Sequence, residues 1–212
     1  MIEEFLSLRS FTRYKEKIKR SIFIGSAEVV FSESEAKRFI KGISNEFKNA
    51  THNCWAYKVG EKTAYSDAGE PSGTAGRPII GAIEKLKLNN VAVVVTRFYG
   101  GVKLGVRGLI DAYSNVALKT LEFGDIVSYI SSYKVTLRME YPVFDRFVKF
   151  ASKFEFDFNV KEFEFTDMIK GSIYIPEKFL DKFKSMVLDL KKYGIIEYNL
   201  DGRMYIPEKM EV

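Results

Sequence analysis

Val91-Ala92-Val93-Val94-Val95-Thr96-Arg97-Phe98-Tyr99-Gly100-Gly101-Val102-Lys103-Leu104-Gly105-Val106-Arg107-Gly108 runs from an unbroken apolar segment into a loop holding four glycines and three cations. The β-branched run Val91 to Thr96 reads as a buried strand. Beyond the loop, Leu109, Ala112, Tyr113, Val116, Ala117, Thr120 and Leu121 recur at helical spacing and form one apolar stripe of an amphipathic helix. The loop therefore ends at a helix N-terminus. There the free N–H groups and the positive end of the macrodipole favour an anion, and glycine lets backbone amides approach it.

Moving outward, Ile18 to Phe31 reads as one long extended segment. Ser32-Glu33-Ser34-Glu35 supplies a capping box for a helix that buries Ala36, Phe39, Ile40, Ile43 and Phe47. Asn53 to Gly60 reads as a strand with Trp55, Tyr57 and Val59 on one side and Cys54 and Ala56 on the other. A second glycine-rich segment, Gly69-Glu70-Pro71-Ser72-Gly73-Thr74-Ala75-Gly76-Arg77-Pro78, enters a helix with Ile79, Ile83 and Leu86 inward; Thr74 is its expected N-cap, and Pro78 fits its first turn. If the fold brings the two loops together, Thr74, Arg77, Lys103 and Arg107 line one concave surface.

From residue 132 the rhythm changes. Tyr133, Val135, Leu137, Met139 and Tyr141 alternate with polar residues as in a half-buried antiparallel strand. A helix from Pro142 follows, then a strand in which Phe156, Phe158 and Val160 have the opposite parity to Phe163 and Phe165. That switch predicts a bulge near Lys161-Glu162. A strand over Met168 to Ile175, a helix over Phe179 to Leu190 and a last extended piece over Ile195 to Ile206 complete the order β-α-β-β-α-β, which is the ferredoxin-like order. The fold class is α+β, with one domain over 1–131 and a ferredoxin-like domain over 132–212.

Among 212 residues, 46% are apolar, enough for a packed core, and no apolar run approaches the roughly 20 residues that span a bilayer. Met1-Ile2-Glu3-Glu4 lacks a basic leader region, so the cytoplasm is the expected location. One cysteine and one histidine leave neither a disulfide nor a metal-ligand cluster, so no cofactor or metal is expected. All of the net +5 charge lies in residues 1–131, so a polyanion is expected to meet that part. The chain has no glutamine and abundant Lys and Glu, the bias of proteins that work hot.

His52 near Cys54 raises a Cys/His nucleophile; neighbouring strand residues point to opposite faces, and His52 reads instead as a structural histidine. Asp67 and Glu70 are possible cleft acids, for a metal or for acid–base work, but their place in a glycine-rich turn favours turn shaping or helix capping. Neither loop matches the phosphate-loop or the dinucleotide pattern. Phe98 and Tyr99 either stack on a base or finish a core strand.

Lys19-Arg20-Ser21-Ile22-Phe23-Ile24, Ala50-Thr51-His52-Asn53-Cys54-Trp55-Ala56-Tyr57, Ser66-Asp67-Ala68 leading into the second glycine-rich segment, and Arg97 to Gly105 together resemble the YigZ/IMPACT family. The resemblance implies an N-terminal β-α domain of the kind shared by a ribosomal protein, elongation factor G and small-molecule kinases. It implies a C-terminal domain similar to one of elongation factor G. It also implies a link to translation, with eukaryotic members acting in control of initiation under stress, and no established catalytic activity for bacterial members. Arg107 stands where the family usually has glycine, and Asp111 where a basic residue is common. The combined reading is a non-enzymatic factor that binds RNA or the ribosome, with no catalytic residue. Arg77, Arg97, Lys103 and Arg107 contact phosphates, Thr74, Gly100, Gly101 and Gly105 belong to the same anion-binding surface, and Lys19 and Arg20 extend the patch. The alternatives are an enzyme acting on a nucleotide or phosphorylated metabolite and a protein-interaction module, with a translation-related protein as partner and no membrane.

Overall fold

The computed structural model describes residues 3–152 and 163–207. The chain divides into two compact units, Met1–Ser128 and Tyr129–Val212.

The first unit runs β1 (Glu4–Leu8), β2 (Thr12–Ile18), β3 (Ser21–Val29), α1 (Glu33–Glu46), β4 (His52–Val59), β5 (Lys62–Ser66), α2 (Gly76–Lys85), β6 (Val91–Phe98) and α3 (Gly105–Glu122). Its main sheet has the order β2-β3-β6-β4-β5, and every neighbouring pair is antiparallel. The central strand is β6, and the apolar run explains why. Val91, Val93 and Val95 pack against α2 and α3, while Ala92 and Val94 face α1 on the other side. A strand covered on both faces needs no polar alternation. Burying each valine contributes roughly 2 kcal/mol, and every stripe residue of α3 named above is buried.

The segment Ile18 to Phe31 is not one extended piece. Ile18 closes β2, and β3 returns antiparallel to it, with Lys19 at φ 52 in the turn. Both β2 and β5 are edge strands with charged, half-exposed residues, so their hydrophobic signal is weak. At the start of α1, Ser32 Oγ accepts from the Glu35 amide at 3.1 Å, while the Glu35 carboxylate takes the Phe31 amide at 2.8 Å.

The second unit holds most of β7 (Ile126–Met139), then α4 (Tyr141–Ala151), β8 (Glu164–Phe165), β9 (Ile169–Pro176), α5 (Leu180–Leu190) and β10 (Ile196–Pro207). β7 pairs with β10 on one side and β9 on the other, and β9 pairs with β8, all antiparallel. The order β10-β7-β9-β8 is that of the ferredoxin-like fold. Val135, Leu137 and Met139 point into a core with Phe147 of α4 and Phe183 and Val187 of α5, whereas Thr136 and Arg138 between them are exposed. The expected bulge at Lys161-Glu162, with Phe156, Phe158 and Val160, lies outside the described residues.

Candidate functional site

In register across the sheet, Arg97 of β6 stands between Phe23 of β3 and His52 of β4. Arg97, expected as a phosphate contact, is held within the sheet. Arg97 is only 5% exposed, and its Nη1 donates to Glu70 Oε1 at 2.6 Å. Glu70 comes from the second glycine-rich loop, and the same Oε1 accepts from the Tyr113 hydroxyl at 2.8 Å. A buried guanidinium is tolerable because a buried carboxylate answers it. Its plane also lies between the rings of Phe23 and Tyr99, at 5.5 and 5.3 Å from their centroids. Nη2 reaches Ser21 Oγ at 3.4 Å, but Nε is buried with no hydrogen-bond partner.

Residues 67 to 76 are shaped by Asp67. Its Oδ1 accepts from the Ala75 and Gly76 amides at 2.9 and 2.8 Å, and its Oδ2 from Gly73 at 2.8 Å. Burial pushes this carboxyl up, but the three amides outweigh it and hold it below the usual aspartate range. Asp67 is thus the cap of α2, the role its place in a glycine-rich turn favours. Thr74, expected as N-cap and anion contact, is 2% exposed and donates its hydroxyl to the Pro71 carbonyl at 2.6 Å. The helix is capped from outside its own sequence neighbourhood, which frees Thr74 to turn inward.

His52 and Cys54 are two residues apart on β4 and so share a face; the opposite-face argument does not separate them. Each is nevertheless engaged. The Cys54 thiol donates to the Asp67 carbonyl at 2.9 Å, and burial pushes its pKa up to about 12. His52 Nδ1 lies 3.0 Å from the Ala68 carbonyl, and Nε2 lies 3.9 Å from Glu70 Oε2. Burial foremost, with Cys54 and Glu70 beside it, raises the Tyr113 hydroxyl as well.

The two glycine-rich loops meet at one pocket of about 490 Å³, whose walls include His52, Glu70, Arg97, Tyr99, Lys103 and Leu104. Lys103 and Gly105 bring the start of α3 to its rim. That helix end has no side-chain cap and no acid in its first turn. Gly101 and Gly105 adopt φ of 83° and 79°, where glycine is favoured, and a Cβ on Gly100 would strike the Arg20 carbonyl. Lys19 and Arg20 are exposed at the β2–β3 turn. Arg77 is exposed in the first turn of α2, and Arg107 pairs with Asp111 at 3.2 Å; neither lines the pocket. Arg107 and Asp111 therefore bind each other across one turn of α3. Tyr113 and Ser21 were missed as polar site members. The sequence clue to Tyr113 is a phenol in an otherwise mostly aliphatic stripe.

The model of the Impact N-terminal domain matches residues 19–121, which include every pocket residue named above. YvyE, an IMPACT family member of Bacillus subtilis, is 31% identical over 193 residues, spanning 90% of this chain and 88% of its own. The chain belongs to the IMPACT family. YigZ, the IMPACT family member of Escherichia coli, is 36% identical over 114 residues, covering 50% of this chain and 56% of its own. A solved structure described as that of a hypothetical protein shares the fold, with TM-score 0.65 at 24% identity over 95% of this chain and 99% of that one. Among the described residues, no helix is long and apolar enough to cross a membrane, and no group of three or more His, Cys, Asp or Glu is placed to hold a metal ion.

Proposed function

We propose that this IMPACT family member is a cytoplasmic, translation-linked factor that binds RNA, free or on the ribosome, by seating a phosphate at the start of α3. The observation that carries this reading is the meeting of two donors at one pocket, the uncapped end of α3 and Lys103, with Arg97 in the same wall. Since Glu70 offsets the Arg97 charge, attraction for the anion comes from Lys103 and the helix end. Exposed Lys19, Arg20, Arg77 and Arg107 add a diffuse field for flanking phosphates. The exposed face of Tyr99 offers a stacking surface beside them. The engagement of Asp67, Cys54 and His52 with neighbouring backbone favours holding a ligand over transforming it. The ferredoxin-like unit then serves as a docking arm.

A second reading has its own support: a pocket of about 490 Å³ suits one small ligand, such as a free nucleotide or phosphorylated metabolite. Binding to a short RNA and to ribosomes, measured across a salt series, tests the main reading. Lys103→Glu should weaken RNA binding at least tenfold and reduce the salt slope by about one. Arg77→Glu, outside the pocket, should have the smaller effect. Binding that is indifferent to both salt and Lys103→Glu refutes the proposal.

A further inference from the structure

Glu70 Oε2 and His52 Nε2 stand side by side, 3.9 Å apart, with no hydrogen bond between them. Glu70 Oε1 is saturated by Arg97 and Tyr113. Oε2 accepts no hydrogen bond among the described residues; His52 Nε2 stands 3.9 Å away, beyond bonding distance. The other ring nitrogen, Nδ1, is 3.0 Å from the Ala68 carbonyl. A carbonyl only accepts, so Nδ1 is the nitrogen that donates to it, and in the Nδ1–H tautomer Nε2 is the accepting atom. The Glu70 side chain is 3% exposed. Both residues line the pocket, so a ligand bringing two donors adds hydrogen bonds that the protein does not itself supply there.

The same pocket has the opposite chemistry elsewhere on its wall. The amides at the start of α3 and Lys103 are donors, suited to a phosphate. A ligand complementary to both parts carries an anion and two adjacent hydroxyls. A ribose with a free 2′,3′-diol next to its phosphate has that pattern. Deoxyribose has only one of the hydroxyls, and in mid-strand the 3′ oxygen is esterified. The 2′-hydroxyl is also what separates RNA from DNA at a given site.

We infer that the pocket takes a phosphorylated ribonucleoside with an unblocked 2′,3′-diol, presented by the 3′ end of an RNA or by a free nucleotide. Glu70 Oε2 and His52 Nε2 receive the two hydroxyl protons, and Lys103 and the start of α3 hold the phosphate. This rests on the phosphate reading above and adds the group that Glu70 and His52 recognise.

The test uses the full chain and a short RNA labelled at its 5′ end, read by fluorescence anisotropy. The intact RNA is compared with the same RNA after periodate cleavage of its terminal diol, and with versions ending in a 2′-deoxy or a 3′-phosphorylated nucleotide. Adenosine 5′-monophosphate and its 2′-deoxy analogue form the free-nucleotide arm and are run as competitors. Loss of the diol should weaken binding at least tenfold in whichever arm binds. Glu70→Gln should shrink that discrimination toward unity, provided its melting curve shows a folded protein. If it does not fold, the ligand series on the wild-type chain decides alone. Equal binding of intact and diol-free ligands, with Lys103→Glu still weakening both, overturns the diol assignment and leaves the phosphate reading standing. Binding unaffected by Lys103→Glu in every arm overturns both.

Discussion

Arg97 shows how one side chain serves structure and site together. Its charge was legible as a cation at the mouth of a glycine loop, but its partner was not, because Glu70 lies in another loop 27 residues away and meets it only through strand pairing. Replacing Arg97 by alanine leaves Glu70 buried without its counter-ion. The expected cost is about 3–5 kcal/mol of stability, measurable by denaturant unfolding. A loss below about 1 kcal/mol would mean that the Arg97–Glu70 pair adds little net stability. His52 gives the complementary lesson: its face is fixed by strand parity, yet its two neighbours, Ala68 and Glu70, come from a turn whose path no periodicity encodes.

At the scale of elements, the helices and the central strand were legible because long apolar patterns carry them. The full α3 stripe is buried as its spacing requires. The edge strands β2 and β5 were not, since charged side chains blur their alternation. Nor was the α2 cap, which arrives from Asp67, nine residues before Gly76. Asp67→Ala should destabilise the first unit by about 2 kcal/mol, because three amides lose a charged acceptor. Asp67→Asn should recover part of this, since its oxygen can still serve Ala75 and Gly76 while its amide faces the Gly73 donor. The pH dependence has a definite sign. The folded carboxyl is depressed, so its contribution is complete above the unfolded aspartate value of about 3.9 and is lost as pH falls through the lower folded value. Acid unfolding curves of wild type and Asp67→Ala should therefore converge below that range. Curves that stay parallel would show that the cap owes nothing to charge.

For the whole molecule, the order of elements in the second unit was readable from alternating strands and apolar helix faces, and the concentration of charge in the first part of the chain from composition. The strand over 156–160 falls outside the described residues. Each unit has its own hydrophobic core, one centred on Val93, Val95 and Tyr113, the other on Leu137, Phe147 and Phe183. Phe183→Ala should thus remove about 3–5 kcal/mol from the second unit while leaving ligand affinity at Lys103 unchanged. Calorimetry paired with binding measurements checks this; a parallel fall in affinity would show that the cores do not act independently.

The loop before α3 is fastened at one end and free at the other. Gly100 is pressed against the Arg20 carbonyl, whereas Gly101 and Gly105 have no atom within 4 Å of where a Cβ would sit. With no side chain at either glycine to restrict it, this short segment has more torsional freedom to lose than most when a ligand settles there, at about 1–2 kcal/mol per residue immobilised. Capture then costs entropy alongside the charge it uses. Stiffening the backbone between those glycines in its present path should raise affinity at this site with no added cation.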